Sequence, residues 1–353
     1  MNENGGMKNK ISKPTLIDVA KEAGVSPMTV SRALHKPEKV SASTRTKVLE
    51  ASERLGYRPN ASARSLRTKT THQIGVIIPD WRNPFWIDVV SGIEMVLTGA
   101  GFQPLIANSN EESNQELLQI EAMLSRSVDG LLIAPTAGNT EMIQALQQAG
   151  HTLVVIDRLP EGLNGVDCVT IDNEAGGYQA TMHLLEQGHR RIGLLVGNVN
   201  LDTGRQRLDG YCRALRAYGL EPNEQWLRTA ETNAALVGKQ VGYEGTLHFL
   251  DMVEHPTALL CTSSTIAIGS LMALQEKKVS IPAEMAFVTF GNMDWTTLVT
   301  PALTVITQPT VEMGLQAAEI VLDHLSARRR GPYSRKKVIL EPELIVRGSS
   351  CKQ

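Results

Sequence analysis

The stretch Leu16–Arg32, LIDVAKEAGVSPMTVSR, reads as two short helices joined by a tight turn. Ala20 is small where the helices would cross. Gly24 sits where the turn needs a positive φ that other residues resist. Val30 plugs the second helix onto the first, and Val19, Ala23, Val25 and Ala33 complete the apolar face. Thr15 caps the first helix, with Asp18 closing a capping box, while Ser26 as N-cap and Pro27 at the first helical position start the second. The frame is that of a helix-turn-helix. In that motif the second helix enters the DNA major groove with its N-terminal residues near base edges. Met28, Thr29 and Arg32 are then the exposed candidates, Arg being suited to bidentate contact with guanine.

Outward from this stretch, charge is uneven. The chain of 353 residues has a net charge of -2. Residues 1–72 carry 14 Lys+Arg against 6 Asp+Glu, a net of +8, and the remainder carries 21 against 31, a net of -10. A basic head on an acidic body is expected when one end meets phosphate. Ser41–Gly56 reads as a third helix with Val48, Ala51 and Leu55 at helical spacing. Pro59 then stops the previous element, and Asn60 can cap a short segment through Ala63 to Leu66 that is marginal as a helix on its own. In the residues alone, Leu66 reads equally as a minor-groove wedge or as a linker side chain packed on the body.

The N-terminus is polar, with no apolar signal-peptide core, and no apolar run reaches membrane-spanning length. Cys168, Cys212, Cys261 and Cys351 show neither zinc spacing nor a disulfide framework. A soluble, reducing, cytoplasmic setting is the expectation, with no cofactor, no metal and no membrane partner.

The rest alternates short apolar runs (Ile74–Pro79, Pro104–Asn108, Gly130–Ala134, Leu153–Asp157, Cys168–Asp172, Ile192–Gly197, Ala258–Thr262, Ala286–Phe290, Val305–Gln308) with amphipathic helical stretches. This predicts an α/β body of parallel sheets covered by helices on both faces, in two lobes. Ligands in such sheets sit beyond the C-terminal strand ends. The strand ends here offer Asn83, Phe85 and Trp86, then Asp157 and Arg158, Arg205 and Arg207, Ser263, Ser264 and Thr265, Asn292 and Asp294, and Gln308. Aromatic faces beside amides and hydroxyls suit a polyol, although any one of these residues alone would read as a cap or loop residue.

TLIDVAKEAGVSPMTVSRAL, VSASTRTKV and LGYRPNASARSL resemble the headpiece and hinge helix of the LacI/GalR family of bacterial transcription regulators. The likeness continues through IGVIIPDWRNPFW, VDGLLIAP, VTIDNEAGGYQAT, LLEQGHRRIGLLVG and PALTVITQP. The resemblance implies a homodimer on a near-palindromic double-stranded operator. It implies DNA contacts from Thr15, Leu16, Ser26, Pro27, Met28, Thr29, Ser31, Arg32, Asn60, Ala63 and Leu66, with Leu66 as the wedge. It also implies a periplasmic-binding-protein-like body whose effector meets Asn83, Phe85, Trp86, Asp157, Arg207, Ser263, Asn292 and Gln308. Family members commonly carry Asn-Asp where this chain has Ser263-Ser264, and Asp-Asp where it has Gly291-Asn292. Carboxylates lost while Arg207 is kept point to a sugar acid, as in a regulator of the gluconate-repressor kind, over a neutral sugar.

The expected organisation is a headpiece over 1–57, a hinge helix and linker over 58–72, and a body over 73–349. Its first lobe would be 73–171 plus 306–333 and its second 172–305 plus 334–349. The basic run at 328–330 and Arg335–Lys337 read as a solvated loop. No heptad is present to build a tetramer. A transport component would show an export signal and no such head. An enzyme would need more than His151 and His189, which stand at helix-to-strand junctions without a GxSxG or a phosphate-binding loop. The expectation is a ligand-controlled repressor and not an enzyme.

Overall fold

The computed structural model describes residues 14–58, 70–232, 234–327 and 333–351. The chain divides into two compact units, 1–71 and 72–353.

In the first unit α1 (Leu16–Ala23), α2 (Pro27–His35) and α3 (Ala42–Leu55) enclose one small core. Val19, Ala20, Val30, Ala33, Val48 and Ala51 are buried there. The local signals act as their chemistry dictates. The Thr15 side chain accepts from the Asp18 N–H, and Asp18 in turn accepts from the Thr15 N–H at 2.8 Å. Gly24 ends α1 at φ 65°, which bends the chain into α2. Ser26 Oγ accepts from the Thr29 N–H at 3.1 Å, with Pro27 following as the first helical residue. The candidate hinge residues Asn60, Ala63 and Leu66, and the run 328–330, lie outside the described residues.

The second unit starts with β1 (Gln73–Ile78), α4 (Pro84–Gly99), β2 (Gln103–Asn108), α5 (Ser113–Ser125), β3 (Gly130–Ile133), α6 (Thr140–Gln148), β4 (Leu153–Asp157) and β5 (Asp167–Ile171). It continues through α7 (Asn173–Glu186), β6 (Ile192–Val196), α8 (Asp202–Ala217), β7 (Leu227–Thr229), α9 (Ala235–Leu250), β8 (Ala258–Cys261) and α10 (Ser264–Glu276). Then come β9 (Ala286–Phe290), α11 (Trp295–Leu298), β10 (Thr304–Thr307), α12 (Thr310–Ala327), β11 (Lys337–Leu340) and β12 (Glu343–Ile345). The strands form two sheets, ordered β11-β5-β4-β3-β1-β2 and β12-β10-β9-β8-β6-β7. Pairing is parallel throughout except for the antiparallel edge of β12 on β10. Strands such as Leu153–Asp157 and Ile192–Val196 are buried at every position, because helices cover both faces. Each sheet has a core on either side.

The two sheets define the lobes, and they correct the expected division. The sequence expectation puts residues 334–349 as a block in the second lobe. Instead β11 pairs with β5 in the first sheet, and only β12 joins the second. The whole of β10 belongs to the second sheet, so the return to the first lobe comes after Thr307 and not at 306. The chain thus passes between lobes after β5, after β10 and after β11. Arg335 and Lys336 are exposed and outside any helix or strand, as a solvated loop would be, but they are tied down, and Lys337 already opens β11. The buried Asp167 accepts from Arg335 Nη1 at 3.0 Å and from the Lys336 N–H at 2.8 Å, and Lys336 Nζ pairs with Asp323 at 2.7 Å. Among the described residues no helix is long and apolar enough to cross a membrane.

Candidate effector cavity and nucleic-acid interface

The C-terminal strand ends of both sheets converge on one cavity between the lobes. The first lobe lines it with Asn83, Phe85, Trp86, Glu111, Asp157 and Arg158. The second contributes Arg207, the hydroxyl residues Thr203, Thr232, Thr262, Ser263, Ser264 and Thr265, the ring of Phe290, and Gly291, Met293 and Gln308.

Arg207 is set by backbone packing. The helices α7 and α8 cross at Gly177 and Gly210. A Cβ on Gly177 would stand 2.3 Å from the Arg207 carbonyl oxygen, and one on Gly210 would stand 2.1 Å from that of Glu174. Only glycines allow this approach, and it fixes where the Arg207 side chain starts. Its Nε donates to Asn173 Oδ1 at 2.8 Å, its Nη1 donates to the Thr262 carbonyl at 2.6 Å, and its guanidinium lies over the Phe290 ring at 4.6 Å. Burial brings its pKa down to about 10, against the pull of Asp157 in the other direction. The fork is therefore immobilised, and its Nη2 is the nitrogen that these two bonds leave over for a ligand.

The opposite wall is a buried charge cluster. Arg158, 3% exposed, donates to both oxygens of Glu111 at 2.9 and 3.1 Å, and through Nε to Asp157 at 3.3 Å. Burial disfavours the guanidinium charge, but Glu111 and Asp157 outweigh it and hold Arg158 firmly protonated. Burial raises the pKa of Asp157, opposed by Arg158 and Arg207. Asp157 also takes φ 68° at the end of β4, a conformation costing a non-glycine residue about 1 kcal/mol or more. The packed charges around it hold that strain in place. Behind this wall Glu116, fully buried, accepts from the Thr136 N–H at 2.6 Å and from Asn139 Nδ2 at 2.9 Å, which anchors the loop after β3.

Seven of the eight sequence-predicted cavity residues, Asn83, Phe85, Trp86, Asp157, Arg207, Ser263 and Gln308, come together here. Asn83 and Ser263 also serve as N-caps, accepting from the Phe85 and Ile266 N–H groups. Gln308 Nε2 is buried with no hydrogen-bond partner among the described residues, which makes it a donor available to a ligand. Asn292 is the exception. It is exposed, and its Oδ1 accepts from Arg347 Nη2 at 2.7 Å, while Gly291 and Met293 line the cavity on either side. Gly291, at φ 94°, turns the chain so that position 292 points away. Glu111 was missed as a site residue, although it follows β2 and the strand-end rule covers it. Thr232 was missed because β7 is too short to read as a strand. Arg205 and Asp294, flagged at strand ends, are not among the lining residues.

On the head, Pro27, Met28 and Arg32 are exposed along α2 and Ser31 is half-buried. Met28 is 57% exposed, a large apolar side chain at the start of the helix. The hydroxyls of Ser26 and Thr29 are engaged with one another at 2.8 Å, and that of Thr15 donates to Asp18 at 2.7 Å. Leu16 packs against the head core.

A capped helix-turn-helix unit and a two-sheet body closing on a polar cavity define a ligand-responsive DNA-binding regulator. Residues 15–60 match the model of bacterial regulatory proteins of the lacI family, and residues 71–338 match that of periplasmic binding proteins and the sugar-binding domain of the LacI family. The chain belongs to the LacI family of bacterial transcription regulators. It is 31% identical over 343 residues to the HTH-type transcriptional repressor CytR of Escherichia coli strain K12, covering 97% of this chain and 98% of that one. Among solved structures, the transcriptional regulator CelR in complex with cellobiose superposes with a TM-score of 0.70 at 29% identity, covering 95% of this chain and 99% of that one. The lac repressor dimer bound to operator and an anti-inducer superposes with a TM-score of 0.82, covering 96% and 99%; at 24% identity it shows the shared fold.

Proposed function

We propose that this chain is a cytoplasmic repressor that binds a near-palindromic operator as a homodimer, under the control of a sugar or sugar acid held between the lobes. Binding, without turnover, is the cavity's role. The observation that carries this reading is the constrained Arg207 fork facing an acceptor wall of Glu111 and Asp157 across a ring of hydroxyls. A polyhydroxylated ligand can donate to one side and accept from the other. CelR, a relative over nearly the full length, is described with a disaccharide bound. In the head, Arg32, Met28, Thr29, Ser31 and Pro27 read bases; Thr15, Leu16 and Ser26 lie along the backbone, and Asn60, Ala63 and Leu66 supply the minor-groove contacts.

The experiment is a footprint of the full chain on its own upstream DNA, with and without a panel of neutral sugars and sugar acids. One panel member should change occupancy and raise the melting temperature. A response to sugar acids alone supports the anionic ligand, and a response to neutral sugars alone refutes it. Arg32→Ala should weaken the protected site by about 1–3 kcal/mol and relax base preference at one position. A uniform loss across sequences would make Arg32 a phosphate contact instead.

A further inference from the structure

Two buried carboxylates reach across the cleft, one from each lobe. Asp80, 1% exposed, follows β1 in the first lobe, and its Oδ2 accepts the backbone N–H of Ala235 at 2.8 Å. Ala235 opens α9 in the second lobe. In the other direction Asp202, at the start of α8 in the second lobe, accepts the N–H of Leu159 through Oδ2 at 2.8 Å. Leu159 lies just past β4 in the first lobe.

The first of these bonds has a second role. A helix start leaves backbone N–H groups without intrahelical partners. The N-cap of α9 is Ala234, which makes no side-chain cap bond. The acceptor comes instead from the other lobe. Asp80 is itself held by Arg82, whose Nε and backbone N–H both reach Oδ1 at 2.9 Å and whose Nη2 reaches Oδ2 at 3.2 Å. Burial would raise the pKa of this carboxyl, but those bonds and the Ala235 N–H outweigh it and keep it below the usual carboxylate value.

We propose that Asp80 and Asp202 are positioning residues of the cavity, reciprocal latches that hold the lobes together around it, with α9 capped from across the cleft. Capping of α9 and closure of the cleft are then one event. Separation of the lobes about the three connecting segments would leave α9 uncapped and take from Asp80 its Ala235 donor, while its Arg82 bonds remain. It would also take from Asp202 the Leu159 N–H, the donor its Oδ2 holds while its Oδ1 is already buried without a partner among the described residues. A hydrogen bond to a charged group is worth about tenfold or more in such an equilibrium. The proposal builds on the reading of the cleft as the effector cavity.

The test uses neither effector nor DNA. It is hydrogen exchange on the full chain, read at the Ala235 and Leu159 amides. Asp80→Ala should speed exchange at Leu159 about tenfold or more, although Leu159 is bonded to Asp202 and not to Asp80. Asp202→Ala should do the same at Ala235. Asp80→Asn, which keeps an acceptor but loses the charge, should fall between. Because Asp80→Ala could merely fray α9, the double variant Asp80→Ala/Ala234→Ser gives that helix a hydroxyl cap of its own. First-turn protection of α9 should then recover while Leu159 stays fast. Unchanged exchange at Leu159 in Asp80→Ala, or its full recovery in the double variant, overturns the latch. Failure to find an effector would leave these rates as they are, so the two readings fall separately.

Discussion

Arg207 illustrates how one side chain is over-determined. Two hydrogen bonds, an aromatic face and a backbone carbonyl packed on Gly177 all hold it. Arg207→Lys keeps the charge but cannot reach Asn173 and Thr262 with a planar fork. It should lose most of the ligand-induced rise in melting temperature that the wild type shows, with effector affinity reduced tenfold or more. Equal shifts in both proteins would remove Arg207 from the binding set. Glu116 gives a pH signature. Burial raises its pKa above the ordinary 4.5, against the lowering effect of Asn139 and Thr136. A carboxyl whose folded pKa is raised binds its proton more tightly when folded, so its contribution to stability falls as pH rises from about 4.5 through the folded value. All four tryptophans lie in residues 81–295, so indole fluorescence follows the melting of the body alone. Glu116→Gln should flatten that part of the stability profile, and an unchanged slope would refute the assignment. At this scale the strand-end rule made most of the cavity readable in sequence. It failed at Asn292, because the positive φ of Gly291 turns the chain and Arg347 then captures the amide, and neither is visible in a local pattern.

At the scale of elements, the head was readable because caps and turns are local chemistry. Thr15, Asp18, Ser26 and Pro27 occupy the positions their side chains favour, and Gly24 takes the positive φ that its lack of a side chain permits. The long parallel strands were readable because burial on both faces leaves continuous apolar runs. The strands β7, β11 and β12 were not. They have three or four residues, sit at sheet edges and are only partly buried, and the apolar runs of β11 and β12, Val338–Leu340 and Leu344–Val346, are too short to stand out from loop sequence. Their partners are set by chain path, which is why 334–349 splits between the two sheets where a local reading keeps it in one. The crossing of α7 and α8 carries a prediction of its own. Gly177→Ala places a methyl group 2.3 Å from a backbone oxygen that cannot swing away, so the helices must separate. Overpacking of this kind costs about 1–3 kcal/mol, and here it also displaces Arg207. The variant should melt earlier by fluorescence and respond less to effector, while a head-borne property, affinity for non-specific DNA, stays as in the wild type. An unchanged melting point would mean that the helices adjust without cost.

At the scale of the whole molecule, the proposed homodimer needs a surface. In the first lobe, α4 exposes Ile87 and Met95 two turns apart, at 59% and 63%. Beside this helix, β2 is the edge strand of its sheet, with Ile106 at 37% exposure. An edge strand next to an apolar helix face is a poor surface to leave in water and a good one for a second copy. Paired heads also matter to the energetics. Operator affinity falls with salt by about 0.9 in log-log slope per phosphate neutralised, so two engaged heads should give about twice the slope of one. Ile87→Lys/Met95→Lys sets four like charges into a two-fold contact. Sedimentation should shift to the monomer, and specific operator affinity should drop by an order of magnitude or more. The salt slope should fall toward half its wild-type value, because one head now binds alone. A double variant that stays dimeric would move the interface elsewhere on the body. A monomer with the full salt slope would show instead that a single head accounts for the phosphate contacts.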